Sequence, residues 1–324
     1  MVNKPTPVDV LGLTLGVVSV SAGTYHTCAV TTTGGLKCWG NDDLGQLGDN
    51  ATLANKPTPV DVLGLASGVA SVSTGHYHTC AVTTSGGLKC WGHDGSGQLG
   101  NDVAMVYQPT PVDVLGLTAG VARVSAGQRH TCAITTSGGL KCWGHDSNGQ
   151  LGDNAALADK PTPVDVLGLT AGVASVALGA AHTCAVTTAG GLKCWGYDYN
   201  GQLGNDADML DKPTPVDVLG LSSGIASVSA GTSHTCAVTT AGGLKCWGRD
   251  IEGQLGNDAS FAIKATPVDV LGFASGVARV SAGGFHTCAA TTAGDLKCWG
   301  QDDSGQLGND ASLTKQPTPV DVAP

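Results

Sequence analysis

Charge is scarce in this chain: Asp, Glu, Lys and Arg make up 13% of its 324 residues, where about a quarter is usual. Basic groups are the scarcer sign, 16 against 26 acidic, for a net charge of −10. A protein that grips nucleic acid by its phosphates needs a basic face, so no nucleic acid partner is expected. Aromatics amount to only 4%. No apolar run approaches the roughly 18 residues of a membrane-spanning helix, so no membrane insertion is expected. The opening MVNKPTPVDV lacks the basic-then-apolar pattern of a secretory signal; any such signal is missing or has been removed. Glycine, by contrast, is abundant at 49 residues, about twice its common share, which argues against an ordinary helical or α/β enzyme. With 41% apolar residues the chain is also unlike a disordered one and can bury a large core.

Those apolar residues recur at a fixed interval. The segment HTCAVTT at 26–32 returns, identical or with one residue changed, with its cysteine at Cys80, Cys132, Cys184, Cys236 and Cys288, a step of 52 residues and six copies in all. PTPVDV stands at 5–10 and again at 317–322, so the whole sequence is one array. Within a unit, Val17 to Ala22 alternates and is rich in Val and Ser, which predicts a strand, and Gly23 marks a turn. A second strand follows from His26 to Thr32, a hairpin turn at Thr33-Gly34-Gly35, and a third strand from Leu36 to Gly40. A longer loop carries Gly45-Gln46-Leu47-Gly48 and ends at Pro57-Thr58-Pro59. Val60 to Val62 then forms a short fourth strand at a sheet edge, where proline is tolerated.

Four strands at this period predict an all-β chain: a β-propeller of six four-stranded antiparallel blades. The residues also carry a resemblance. Gly23-x-x-His26-Thr27, then Leu36-x-x-Trp39-Gly40, then Gly45-Gln46-Leu47-Gly48 resembles the repeat of the regulator of chromosome condensation family, in all six units. That family more often closes with seven blades, so the resemblance leaves room for a partly open or seven-blade-like ring. The array reads as one domain over 1–324, with approximate units 13–64, 65–116, 117–168, 169–220, 221–272 and 273–324. Residues 1–12 then supply an additional outer strand. For function the resemblance implies a scaffold found in exchange factors and enzyme inhibitors, and a fold does not fix an activity. Members that act on a small GTPase or on chromatin look different, since this chain shows neither a basic tail nor a long inserted loop. It also has Asp42, Asp94, Asp146, Asp198, Asp250 and Asp302 where the family more often has Asn. Both residue types organise turns through local hydrogen bonds.

Twelve cysteines form six pairs at one spacing: Cys28 with Cys38, Cys80 with Cys90, Cys132 with Cys142, Cys184 with Cys194, Cys236 with Cys246, and Cys288 with Cys298. With the hairpin centred on Thr33, Cys28 opposes Cys38 at a separation a disulfide spans easily. The other reading is a pair of reduced thiols buried as small hydrophobes. Disulfides would favour an extracellular, periplasmic or cell-surface home. Zinc is not expected, because the close Cys-x-x-Cys knuckle is missing. His26, His78, His130, His182, His234 and His286 recur in every unit and read as structural hydrogen-bonding groups rather than a metal or pH-sensing ring. The six Trp residues, from Trp39 to Trp299, read as packing between blades.

Six near-copies of one unit argue against catalysis, which needs different groups converging once, and no nucleophile elbow, phosphate loop or zinc-protease helix occurs. No cofactor is expected, apart from weak calcium binding by Asp42, Asp49 and Asn50 around Gly45. The informative differences among the units fall in loops. After the first strand stand Thr24-Tyr25, His76-Tyr77, Gln128-Arg129, Ala180-Ala181, Thr232-Ser233 and Gly284-Phe285. After the third stand Asn41, His93, His145, Tyr197, Arg249 and Gln301, with Tyr199 and Ile251 two residues beyond their own units' first positions. In an up-and-down sheet both loops lie at the same end. Tyr, Arg and Phe are residues that anchor interfaces. The variable face therefore reads as a non-enzymatic interaction or adhesion surface for a protein or glycan partner, with Tyr25, Asn41, His76, Tyr77, His93, Gln128, Arg129, His145, Tyr197, Tyr199, Arg249, Ile251 and Phe285 as contact residues. An intracellular scaffold or exchange-factor-like propeller is the alternative. A third reading is self-assembly through the terminal strands, since Val8 to Val10 and Val320 to Val322 compete for one outer place and an unpaired edge seeks a partner.

Overall fold

A computed structural model describes residues 7–13, 15–51, 53–103, 106–206, 208–258, 261–309 and 315–323. The described residues contain no helix. The strands form six four-stranded antiparallel sheets, each in simple up-and-down order, the six blades of a β-propeller. Blade 1 consists of β1 (Val17–Ala22), β2 (His26–Thr31), β3 (Leu36–Gly40) and β4 (Lys56–Asp61). Blades 2 to 6 repeat it over 69–113, 121–165, 173–217, 225–269 and 277–321. The chain divides into two compact units, one holding Asp9–Val173 with blades 1 to 3 and the other mainly Ala174–Pro324 with blades 4 to 6.

The hairpin between β2 and β3 sets the register of each blade. Gly34 N–H donates to the Thr31 carbonyl at 2.9 Å and Thr31 N–H to the Gly35 carbonyl at 2.8 Å. Gly34 supplies the left-handed residue, φ 77°, that a three-residue hairpin loop requires. Because Thr31 N–H bonds to the Gly35 carbonyl, the pairs that alternate with this one, Val30 with Leu36 and Cys28 with Cys38, fall at non-hydrogen-bonded sites, where Cα atoms come closest. Cys28 and Cys38 accordingly have Cα atoms 4.1 Å apart and are joined by a disulfide. The other five pairs are joined in the same way.

The outer strand is longer than the expected Val60 to Val62: β4 starts at Lys56 and includes both prolines. Lys56 pairs with Gly40 and Val60 with Cys38. Pro57 and Pro59 stand two residues apart on an edge strand, where a missing N–H breaks no inner ladder. In blade 2 this strand begins at Tyr107, which pairs with His93. The outer place of the last sheet is taken by Gln316–Asp321. Pro7 to Val10 carry no strand, and residues 1–6 lie outside the described residues.

Within each compact unit, neighbouring blades bury a face against one another. In the first unit, Cys28, Val30, Leu36 and Leu47 of blade 1 enclose Val69, Ala81 and Trp91 of blade 2, and blade 2 receives Val121, Ala133 and Trp143 in the same way. In the second unit, blade 4 receives Trp247 and blade 5 receives Trp299. These tryptophans are fully buried.

Candidate functional site

The groups repeated in every unit form an internal frame. Trp91 Nε1 donates to the Gln46 carbonyl at 3.0 Å, and the Thr79 hydroxyl donates to the same oxygen at 2.8 Å. His26 Nε2 lies 2.7 Å from that hydroxyl. Since the Thr79 proton is already committed, the hydroxyl accepts from His26, and the imidazole carries its proton on Nε2. His78 with Thr131 and His234 with Thr287 repeat the arrangement at 2.9 Å. Burial pushes His26 and His182 down to about 4, and His78 and His234 to about 3. These rings are neutral joints between blades.

Asp42 organises the β3–β4 loop. Its Oδ1 accepts from Leu47 N–H at 2.9 Å, and Asp94, Asp146, Asp198, Asp250 and Asp302 do the same for the corresponding leucines. Oδ2 of Asp42, Asp94, Asp146 and Asp302 is buried with no hydrogen-bond partner among the described residues. Burial, only partly offset by the leucine N–H, pushes Asp42, Asp94, Asp146, Asp198 and Asp250 up to about 6. Beside Asp94 a shallow cavity of about 350 Å³ opens, lined by Val103, Val106 and Pro161. Lys56 Nζ lies 3.7 Å from Asp49, so an ammonium group shares the loop where weak calcium binding was expected.

The variable residues stand on this frame, and a repeated backbone bond sets the two groups side by side. Asn41 N–H donates to the Tyr25 carbonyl, His93 to Tyr77, His145 to Arg129, Tyr197 to Ala181, Arg249 to Ser233 and Gln301 to Phe285, all at 2.8 to 2.9 Å. In the first unit an aromatic cluster results. The Tyr25 and Tyr77 rings stack at 5.1 Å, and His76 meets their edges at 4.9 and 4.4 Å. Gln128 Nε2 lies 3.5 Å from His76 Nδ1. Burial lowers the pKa of both His76 and His93, and the Arg129 guanidinium lowers both further. Tyr25 remains 49% exposed. His145 stands apart, bonded to Asp159 at 2.9 Å and to Ser147 at 2.8 Å, and Asn41 is held by Asp43 and Asn55.

The second unit gathers smaller groups. Tyr197 and Tyr199 stack at 6.4 Å, and the Arg249 guanidinium lies 5.3 Å from the Phe285 ring. Ile251 is 40% exposed, and its carbonyl accepts from Lys315 Nζ at 3.1 Å while that ammonium sits 4.4 Å from the Phe261 ring. Sequence reasoning missed Lys315, which has no counterpart at its unit position in blade 3, Asp159. It also missed a ladder of exposed ion pairs, Lys37 with Asp61 at 2.6 Å and its five repeats, legible only once Lys37 and Asp61 are known to be opposed.

A family model described as RCC1-like domain matches residues 1–324. The chain belongs to the RCC1-like domain family. Among curated relatives of this RCC1-like chain, the ultraviolet-B receptor UVR8 of Arabidopsis thaliana is 33% identical over 323 residues, covering 97% of this chain and 72% of the relative. Among solved structures, human WBSCR16 matches with a TM-score of 0.87 at 24% identity, covering 99% of this chain and 84% of that one. Prp20p from Saccharomyces cerevisiae matches with a TM-score of 0.80 at 21% identity, over 95% and 77%. These two likenesses concern the RCC1-like fold alone.

Proposed function

We propose that this RCC1-like propeller is a non-enzymatic recognition module that presents its variable loop face to a protein or glycan partner. The observation that carries the reading is the cluster of exposed Tyr25 with half-buried His76 and Tyr77, which three ring contacts assemble from two blades. A stacked tyrosine pair with His76 edge-on to both, and Arg129 beside them, offers apolar area and hydrogen-bonding tips at little cost in side-chain entropy. The uniform frame beneath has no such diversity. No cofactor takes part in this reading, and the calcium loop is answered by titration with the ion.

The test replaces Tyr25, Tyr77, Arg129, Tyr197 and Phe285 by Ala together and measures binding to a glycan array and to intact cells. The expected result is loss of whatever binding the parent shows, with far-ultraviolet dichroism unchanged. Retained binding would overturn the assignment of the face. The six disulfides support an extracellular, periplasmic or cell-surface setting. Intact mass of natively purified protein, alkylated with and without reduction, tests that setting directly. Twelve free thiols would bring forward the second reading, an intracellular scaffold or exchange-factor-like propeller. That reading draws on Prp20p, whose structure is described together with its binding to Gsp1p and histones.

A further inference from the structure

The loops that carry the variable residues are tied to one another as well as to their own blades. Thr24 N–H donates to the Gly75 carbonyl at 3.4 Å, and His76 N–H donates to the Gly127 carbonyl at 3.2 Å. Blades 1, 2 and 3 therefore present Tyr25, His76 with Tyr77, and Gln128 with Arg129 as one continuous patch, all of it inside the first compact unit. The patch has two unlike ends. At one, Asn41 N–H is bonded to the Tyr25 carbonyl at 2.9 Å, and Asn41 Nδ2 donates to Asp43 Oδ2 at 2.8 Å, which holds an exposed carboxylate beside the tyrosines. At the other stands Arg129, exposed, its own carbonyl accepting from His145 N–H at 2.9 Å.

The Arg129 guanidinium is uncommitted. Among the described residues it enters no ion pair and lies over no ring. Other cations of the chain are engaged: Lys37 and its five repeats each hold an aspartate, Lys212 pairs with Asp208, and Arg249 sits 5.3 Å from the Phe285 ring. The carboxylate that the blade 3 loop offers, Asp159, is already shared by the His145 ring at 2.9 Å and Asp146 N–H at 3.1 Å. His76 and His93 feel the Arg129 charge, which adds to burial in keeping both rings neutral. In a chain of net charge −10, an unneutralised guanidinium at the edge of an aromatic surface marks a place for an anion.

Resting on the reading that this face binds a partner, we propose that the patch takes an acidic oligosaccharide: a sugar carboxylate on the Arg129 guanidinium, the C–H face of a sugar ring on Tyr25, and hydroxyls on Asp43. A planar guanidinium presents paired N–H donors that match the two oxygens of a carboxylate. Tyr77 covers one face of Tyr25 at 5.1 Å, yet Tyr25 is 49% exposed, and the negative face of an aromatic ring draws polarised C–H groups. Asp43 decides between an acidic sugar and an acidic peptide. A string of acidic side chains would bring like charge against it, whereas sugar hydroxyls are donors that a carboxylate accepts. Gln128 and His76, 3.5 Å apart, add polar tips between the two ends.

The experiment titrates the full, oxidised chain in a calorimeter with two acidic trisaccharides, one ended by glucuronic acid and one by N-acetylneuraminic acid, each alongside its methyl ester. The two acids separate the sources of the carboxylate. Saturable binding of at least one acid is expected, with a loss of about tenfold or more on esterification and again in Arg129→Ala. Tyr25→Ala should weaken binding as well, and Arg129→Lys should recover part of the loss, because it restores the charge without the fork. The loop bonds to residues 25 and 129 are made by backbone atoms, so the variants should unfold at the parent's midpoint. Three results would overturn the proposal: no saturable binding of either acid at millimolar concentration, esters that bind as tightly as the acids, or an Arg129→Ala variant that binds as the parent does. Whether the face recognises a partner at all is decided separately, by the variant with five alanines on cells and arrays. Binding lost there while any of those three results holds leaves the face standing and removes the acidic sugar.

Discussion

Asp94→Asn is expected to stabilise this protein at neutral pH and to do nothing in acid. Asp94 Oδ1 accepts from Leu99 N–H at 3.0 Å, a bond the amide oxygen of Asn keeps. The other oxygen is buried without a partner among the described residues, so ionisation there is opposed by desolvation, and the carboxyl rises from 3.8 to about 6. A folded-state pKa above the unfolded one means the folded chain holds the proton more tightly. The stability this contributes is complete below pH 3.8 and is lost as pH rises to about 6, following the proton linkage. The displacement corresponds to about 3 kcal/mol at most. Water in the adjacent cavity screens the charge, so about 1 to 2 kcal/mol is the expected gain for Asn at pH 7. Thermal unfolding of both proteins at pH 4 and pH 7 measures it. The buried histidines destabilise both proteins equally in acid, so their contribution cancels in the difference. A loss of stability on Asp94→Asn that is the same at both pH values would refute the reasoning, because it would mean the second oxygen is satisfied as a charge.

Two further outcomes follow from the frame. Replacing Cys132 and Cys142 together by Ala opens one hairpin bridge and is expected to cost about 3 kcal/mol by the loop-entropy relation, read as a lower unfolding midpoint in the oxidised protein; an unchanged midpoint would show that the bridge constrains nothing in the unfolded chain. Nitrogen-15 chemical shifts should show His78 as the neutral Nε2–H tautomer down to pH 5, and Thr131→Val should cost about 1 to 3 kcal/mol by leaving that buried N–H unpaired. A protonated His78 at pH 5 would contradict its burial.

What the sequence made legible is what depends on neighbours along one blade. Alternation locates β1 to β3, and the count around Thr33 opposes Cys28 to Cys38, as the register does. Prolines count against strands, and only the position at an edge excuses Pro57 and Pro59, so the sequence alone marks no more than the end of the outer strand. Properties that arise between units were hidden. Gly35 looks like an ordinary turn glycine until the Ala66 carbonyl is seen above it. The Tyr25 and Tyr77 stack joins residues 52 positions apart, where composition shows two loop tyrosines and nothing of their contact. The unpaired oxygen of Asp42 has no sequence signal beyond the expectation of Asn.

All six disulfides close within a blade and none joins one blade to another. Twelve cysteines could in principle be matched in about ten thousand ways, yet each partner is the nearest thiol along the chain and is brought opposite by a hairpin that forms in microseconds. Correct pairing therefore needs no search among units. It also means that a unit gained or lost by unequal recombination takes its own bridge with it, leaving no orphan thiol behind, so the array can change its number of blades without changing its redox chemistry.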